Sequence, residues 1–171
     1  ELLGFLLDHS ERPVTWLSLH NLTEKPDAVP EILAKADALI RRRGLPQILT
    51  RPLISELTLK SPFQFTEIVA AKGIFNQPVE KQIALYSDRA FRDAFREELK
   101  LGRKFTNQAQ NVGVFKVADR KNQAYEGRTI GEIAAERKAD PVDCLFDFAI
   151  AEKLETKFIL PRANTNRERI P

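Results

Sequence analysis

The sequence predicts an α/β fold in which a βαβ unit is followed by a helix-rich stretch. Residues 14–19 form a short, mostly apolar and partly β-branched run, which is typical of a buried strand. Residues 27–43 place apolar side chains on one face of a helix, and residues 47–50 form a second short strand before Pro52. Two strands joined by a crossover helix within about 40 residues pair in parallel.

The chain has 171 residues, of which 43% are apolar and 30% are charged. This length favours one domain, and the composition excludes disordered, collagen-like and disulfide-framework proteins. The longest apolar runs are far shorter than the ~20 residues of a membrane helix, so we expect no membrane partner. The chain contains no Met, from which we expect a fragment of a longer protein. We expect residues 1–171 to form one piece, with the βαβ unit over 1–55 and a helix-rich connection over 56–171.

The elements around the βαβ unit follow from apolar spacing and from the residues that break helices. Residues 1–9 carry Leu side chains on one side of a helix, and Pro13 follows its end. Gly44 stands directly after the helix at 27–43, in the position of a C-terminal cap. The segment 57–65, which contains a Pro, is predicted to be irregular.

Capping residues predict the helices of the second part. Residues 79–101 are helical, and Ser87 and Asp88 restart the helix because Ser and Asp both favour the N-cap position. Thr129, with a Glu three residues later, forms a capping box. Asp140, followed directly by Pro, begins another helix. Short apolar runs predict two more strands, at 112–117 and 158–160.

Charge and cysteine content indicate little about partners. The 27 basic and 24 acidic residues leave a net charge of +3. The one run of three like charges, Arg at 41–43, is interpreted as a helix C-terminus, where cations are favourable, so we expect no nucleic-acid partner. A single Cys excludes an internal disulfide and fits a reducing, cytoplasmic compartment. Cys144 lies in an apolar helical stretch, which favours a buried structural thiol.

Polar residues follow both strands of the predicted βαβ unit. His20 comes directly after the first strand, and Arg51 comes directly after the second. Ligands of parallel α/β sheets gather at the carboxyl ends of strands, so these two positions are the best site candidates. No phosphate-binding glycine loop, paired metal-binding His motif or nucleophile elbow is present. The residues by themselves therefore leave the activity open.

The stretch YEGRTIGEIAAER at 125–137, continued by DPVDCLFD at 140–147, resembles the late part of the N-acyl-D-amino-acid deacylases. These D-aminoacylases are a branch of the amidohydrolase superfamily. GLPQILTRPL at 44–53 is similar to their penultimate barrel strand, and LTLKSPFQF at 57–65 is similar to a loop that follows it. The resemblance implies a partial (βα)₈ barrel segment from the later strands, and amide hydrolysis with bound zinc.

The resemblance also suggests roles for four residues. His20 lies near a strand-end His that ligates metal in the family, the alternative being a surface-loop His. Arg51 is expected to bind the substrate carboxylate, the alternative being a structural ion pair. Lys60 and Ser61 are expected on a loop near the same mouth, as further substrate-binding residues. The family's other metal ligands and its general base have no counterpart here, so we identify no catalytic residue.

Two functions remain open from the sequence. In the first, the full-length parent hydrolyses a small N-acyl-D-amino acid with zinc, while this fragment alone binds no zinc and is inactive. In the second, the chain is a non-catalytic protein-interaction module, whose amphipathic helices dock a partner. Because a lone pair of strands is marginally stable in water, we also expect the fragment to form a homodimer or to rearrange its sheet.

Overall fold

A computed structural model describes residues 1–22, 25–101 and 109–165. The fold is mixed α/β, as predicted, and it forms two compact units. Unit 1 comprises Glu1–Ile54 together with the chain from Pro161 onward, and unit 2 comprises Ser55–Leu160. Within the described residues, no helix has both the length and the apolar character needed to cross a membrane.

Unit 1 contains the predicted βαβ unit. Its elements are α1 (Leu2–Ser10), β1 (Val14–Leu19), α2 (Ala28–Ile40) and β2 (Gly44–Ile48). Strands β1 and β2 pair in parallel from Val14 opposite Gly44 to Leu17 opposite Gln47, and the register shifts before Leu19. The parallel pairing and the bounds of β1 are confirmed.

The junction between α2 and β2 differs from the prediction. The helix ends at Ile40, a turn covers residues 41–43, and β2 begins at Gly44 rather than at residue 47. Arg43, with φ 71°, adopts the left-handed conformation expected of a capping glycine. Gly44 is needed for space instead, because a Cβ atom there would lie 2.6 Å from the Leu39 carbonyl oxygen and 3.0 Å from the Trp16 ring.

The described part of unit 2 contains four α-helices: α3 (Val79–Ser87), α4 (Arg89–Lys100), α5 (Ile130–Arg137) and α6 (Pro141–Ala151). The three N-caps predicted for these helices are confirmed, with Asp88 rather than Ser87 capping α4. The Asp88 carboxylate accepts a hydrogen bond from the Phe91 N–H at 3.0 Å. Thr129 and Glu132 form the reciprocal capping box, and Asp140 accepts from the first N–H groups of α6.

A second sheet contains β3 (Leu53–Leu57), β4 (Gly113–Lys116) and β5 (Lys157–Ala163) in the order β3-β5-β4. Strands β4 and β5 are antiparallel. Strand β3 was not predicted, because Pro52 signals the end of the preceding strand and the segment from residue 57 is expected to be irregular, since it contains Pro62. Strand β5 is longer than the predicted 158–160, since it continues through Pro161 and Arg162.

The core of unit 2 is aromatic. Phe146 of α6 packs against Tyr86 of α3 and Phe95 of α4, with ring centroids 5.1 and 5.2 Å apart. Phe65 meets Phe95 edge-on at 4.9 Å. The Tyr86 hydroxyl donates to the Leu59 carbonyl at 2.7 Å, and burial raises the pKa of Tyr86. These contacts hold three helices together around fully buried rings.

Candidate functional site

The carboxyl ends of β1 and β2 lie at one edge of the parallel pair in unit 1. His20 follows the last residue of β1 directly, and Arg51 is the third residue after β2 ends at Ile48. Because parallel strands point the same way, the loops that carry these two residues leave the sheet at the same edge. Both residues thus lie in connections at this edge, although Arg51 follows its strand two residues later than expected, and their roles stay predictions.

The His20 imidazole is held from one side. Its Nε2 atom lies 2.5 Å from the Ser18 hydroxyl oxygen, a short hydrogen bond within the strand end. Its Nδ1 atom is buried and finds no hydrogen-bond partner among the described residues. Ser18 was not predicted, although alternation along a strand puts residues two apart on the same side, and that spacing was visible in the sequence.

Arg51 is exposed in the short connection between β2 and β3. Within the described part of the chain, its guanidinium group makes no hydrogen bond and no ion pair. The predicted alternative was a structural ion pair, and the described residues supply no carboxylate for it. A planar group with five N–H donors is suited to bind a carboxylate in two places at once.

Lys60 and Ser61 belong to unit 2, whereas His20 and Arg51 belong to unit 1. The Lys60 ammonium group donates to the Glu155 carboxylate at 2.7 Å, and both side chains are about half exposed. The Ser61 N–H bonds to the Thr58 carbonyl at 3.2 Å, which closes a local turn. The contacts of both residues thus lie within their own unit, and their substrate-binding role stays a prediction.

Asn164 joins the strand ends of unit 1 and was not among the predicted residues. Its side chain is bonded to the backbone of Asn21, after β1, and to the Leu49 carbonyl, after β2. These contacts span 143 and 115 positions of the chain. No local pattern in the sequence signals contacts at such separations, so only the folded chain identifies Asn164.

A polar surface cleft of about 530 Å³ lies on unit 2 between α4 and α6. Arg92 donates to Asp143 at 3.1 Å and to Asp147 at 2.6 Å. Arg96 donates to Asp140 and Asp143 at 3.1 and 2.5 Å. Burial lowers the pKa of Arg96, but the hydrogen bonds to both carboxylates outweigh it and leave that pKa above its usual value. Because both guanidinium groups are engaged by carboxylates of the fold, the cleft is better explained as an interhelical ion network than as a ligand site.

Cys144 is buried on α6, and burial raises the pKa of its thiol. A thiol that stays protonated is a poor nucleophile, so the structural interpretation of Cys144 is supported.

Metal-ligating side chains are not clustered in the described residues. No group of three or more His, Cys, Asp or Glu side chains within residues 1–22, 25–101 and 109–165 is arranged to hold a metal ion. His20 thus offers one donor nitrogen, whereas a catalytic zinc takes three protein ligands. Compared with protein-family models, curated proteins and solved structures, the chain matches none.

Proposed function

We propose that this chain is part of a metal-dependent amidohydrolase resembling the N-acyl-D-amino-acid deacylases, and that it supplies a βαβ segment of a partial (βα)₈ barrel. The single observation that carries the proposal is the position of the His20 imidazole and the hydrogen bonding of its two ring nitrogens. The imidazole stands at the carboxyl end of a parallel strand, with Nε2 bound to Ser18 and a buried Nδ1 that no described residue engages. An imidazole with one ring nitrogen hydrogen-bonded and the other without a partner resembles the arrangement of a metal-binding histidine.

Under this proposal the chain contributes one zinc ligand, and the remaining ligands belong to other parts of the parent protein. Zinc, when bound, supplies Lewis-acid activation of water and of the scissile amide. Ser18 orients the His20 ring through its hydroxyl group. Arg51 binds the carboxylate of an N-acyl-D-amino acid, for which its unengaged guanidinium group is suited. The substrate-binding role expected for Lys60 and Ser61, which belong to unit 2, stays a prediction.

The test uses the full-length parent protein with the variants His20→Ala and Arg51→Met. We expect His20→Ala to weaken zinc binding by at least about a hundredfold, because it removes a direct ligand. We expect Arg51→Met to raise KM for N-acyl-D-amino acids by about tenfold to a hundredfold, because a charge-assisted hydrogen bond is lost. The measurements are zinc content against a competing chelator and steady-state kinetics.

Two controls sharpen that experiment. His9→Ala removes the other histidine, which lies on α1 and bonds the Phe5 carbonyl, and it is expected to leave zinc content unchanged. The L-enantiomers of the same substrates test the stereochemical preference. Unchanged zinc content in His20→Ala would refute the ligand assignment, and a zinc-loaded parent inert to the whole panel would refute the substrate class.

A second candidate is a non-catalytic interaction module that self-associates through unit 1. It is favoured by Leu17 of β1 and Leu45 of β2, which lie on one face of the two-stranded sheet and are 72% and 54% exposed. Sedimentation of the chain as Leu17→Glu tests it, with Phe63→Glu as the control, since Phe63 is 77% exposed in unit 2. Self-association lost in Leu17→Glu alone would support this candidate, and a monomeric unsubstituted chain would refute it.

A further inference from the structure

Asn164 is a buried polar residue with an uncommon backbone conformation. It directly follows β5, its exposed fraction is 2%, and its φ is 56°. A φ in this range is disfavoured for most side chains, but Asn tolerates it better than others. The chain thus places at this point a residue that combines the required backbone angle with a side-chain amide.

Three hydrogen bonds connect Asn164 to both strand ends of unit 1. The Asn21 N–H donates to the Asn164 side-chain oxygen at 2.9 Å, and the Asn164 N–H donates to the Asn21 carbonyl at 2.8 Å. The Asn164 side-chain nitrogen donates to the Leu49 carbonyl at 2.9 Å. Asn164 therefore bonds both the N–H and the C=O of Asn21, after β1, and it also bonds the Leu49 carbonyl, after β2.

The consequence for His20 follows from its place in the chain. His20 is covalently joined to Asn21, so the backbone that carries its ring is fixed on one side by β1 and on the other by Asn164. The hydroxyl of Ser18 then sets the ring's rotation. Groups that orient a metal-binding histidine in this way commonly alter metal affinity when they are removed.

We infer that Asn164 is a positioning residue for His20: it holds the strand ends of β1 and β2 so that the His20 imidazole keeps the orientation in which Nε2 bonds Ser18 and Nδ1 is buried. This inference rests on the proposed function only in so far as His20 is taken to be a zinc ligand. The orientation of the ring, however, can be measured without zinc and without substrate.

The experiment compares Asn164→Gly with the unsubstituted 171-residue chain. Gly accepts the left-handed conformation and removes only the side-chain bonds. Asn76→Gly is the matched control, because Asn76 has φ 59°, is exposed, and its side chain makes no hydrogen bond to a described residue. The chain has two histidines, so the ring signals of His20 and His9 can be resolved by ¹⁵N NMR, with the Trp16 indole signal reporting on the fold of β1.

We expect Asn164→Gly to shift the His20 ring signals toward those of Ser18→Ala, in which the bond to the ring is deleted, while the His9 and Trp16 signals stay in place. Asn76→Gly should leave all three unchanged. His20 signals identical to those of the unsubstituted chain would overturn the inference. Equal changes at His9, Trp16 and His20 would also overturn it, because they would assign Asn164 a purely structural role.

A second measurement separates this inference from the proposed function. In the parent protein, Asn164→Gly should weaken zinc binding by about tenfold to a hundredfold, and Asn76→Gly should not change it. If the unsubstituted parent binds no zinc, the proposed function fails while the NMR result still decides whether Asn164 positions the ring. Undiminished zinc affinity in Asn164→Gly would overturn the positioning role even where the proposed function holds.

Discussion

One carboxylate oxygen of Asp140 accepts a hydrogen bond from Arg96 and also caps the N-terminus of α6. The Oδ1 atom of Asp140 accepts from the Arg96 guanidinium at 3.1 Å and from the Val142 and Asp143 N–H groups at 2.9 and 3.2 Å. The same atom thus caps α6 and joins it to α4. A local signal, the N-cap, is here coupled to a contact between helices that are far apart in the chain.

Arg92 is the most buried cation of this ion network, and its removal should destabilise unit 2. Its side chain is 13% exposed, and it donates to Asp143, Asp147 and the Tyr86 carbonyl. We expect Arg92→Met to lower the free energy of unfolding by about 2–3 kcal/mol, measured in urea, because partly buried acceptors lose a charged donor. Arg89→Met is the control, since that side chain is 95% exposed, and it should cost less than about 0.5 kcal/mol. Equal effects of both variants would contradict a stabilising role for the network.

The buried carboxylate of Glu152 accepts hydrogen bonds from the loop after β4. The carboxylate accepts from the N–H groups of Ala118 and Asp119 and from the Asn122 side chain. We expect Glu152→Gln to destabilise the protein by about 1–3 kcal/mol, since an N–H₂ group would replace one of two accepting oxygens. Hydrogen exchange at the Ala118 and Asp119 amides should accelerate together with this loss. Glu155→Gln, at an exposed position, is the control and should change neither the free energy of unfolding nor these exchange rates appreciably. Slow exchange at Ala118 and Asp119 in Glu152→Gln would show that Glu152 does not hold this loop.

Gly44 has no room for a side chain. A Cβ atom would lie 2.6 Å from the Leu39 carbonyl oxygen, so Gly44→Ala must displace backbone at the junction of α2 and β2. We expect a loss of about 1–3 kcal/mol in thermal or urea unfolding. Gly4→Ala is the matched control in α1, where the nearest atom would be 4.0 Å away, and it should stabilise the helix by up to about 1 kcal/mol. A Gly44→Ala protein as stable as the unsubstituted chain would contradict this packing argument.

The capping box of α5 should make stability depend on pH. The hydrogen bond from the Thr129 N–H to the Glu132 carboxylate lowers the pKa of Glu132 below its ordinary value of 4.5. A lowered folded-state pKa contributes stability above the ordinary value, and this contribution is lost as the pH falls through the lowered value. The free energy of unfolding of the unsubstituted chain should therefore exceed that of Glu132→Gln by its full amount near neutral pH, and this difference should shrink as the pH falls. The measurement is urea unfolding of both proteins from neutral to acidic pH. A difference in free energy of unfolding that does not change with pH would contradict this role of Glu132.

Cys144 should resist alkylation in the folded protein. Burial raises the pKa of its thiol and covers the sulfur, so both the thiolate fraction and its access are reduced. We expect iodoacetamide to react at least about tenfold more slowly than with a free cysteine, and to react fully once urea unfolds unit 2. Rapid modification without denaturant would show that the thiol is accessible and reactive.

Much of the fold could be predicted because its signals are local. The caps at Asp88, Thr129 and Asp140 act within three residues, and apolar spacing defined β1 and the crossover helix. The ends of elements were less predictable. Strand β3 was missed because it begins directly after Pro52, which signals the end of a strand, and ends in a segment expected to be irregular. The conformation expected at Gly44 is adopted by Arg43.

The candidate site was predictable only in part. The strand-end rule selected His20 and Arg51, and alternation along β1 could have added Ser18. Lys60 could be placed on a loop, but its pairing with Glu155, 95 positions away, could not.

Local sequence was enough to specify the helices and their N-caps, because each depends on backbone groups a few residues apart. The short crossover connection specified the parallel βαβ order. Tertiary structure alone decided that Asn164 would hold Asn21 and Leu49, and that Arg92 and Arg96 would be paired across α4 and α6. Such hydrogen bonds join groups that are distant in the chain, and folding brings them together by burying the apolar faces beside them. The partner of a polar side chain is therefore determined by packing rather than by its sequence neighbours.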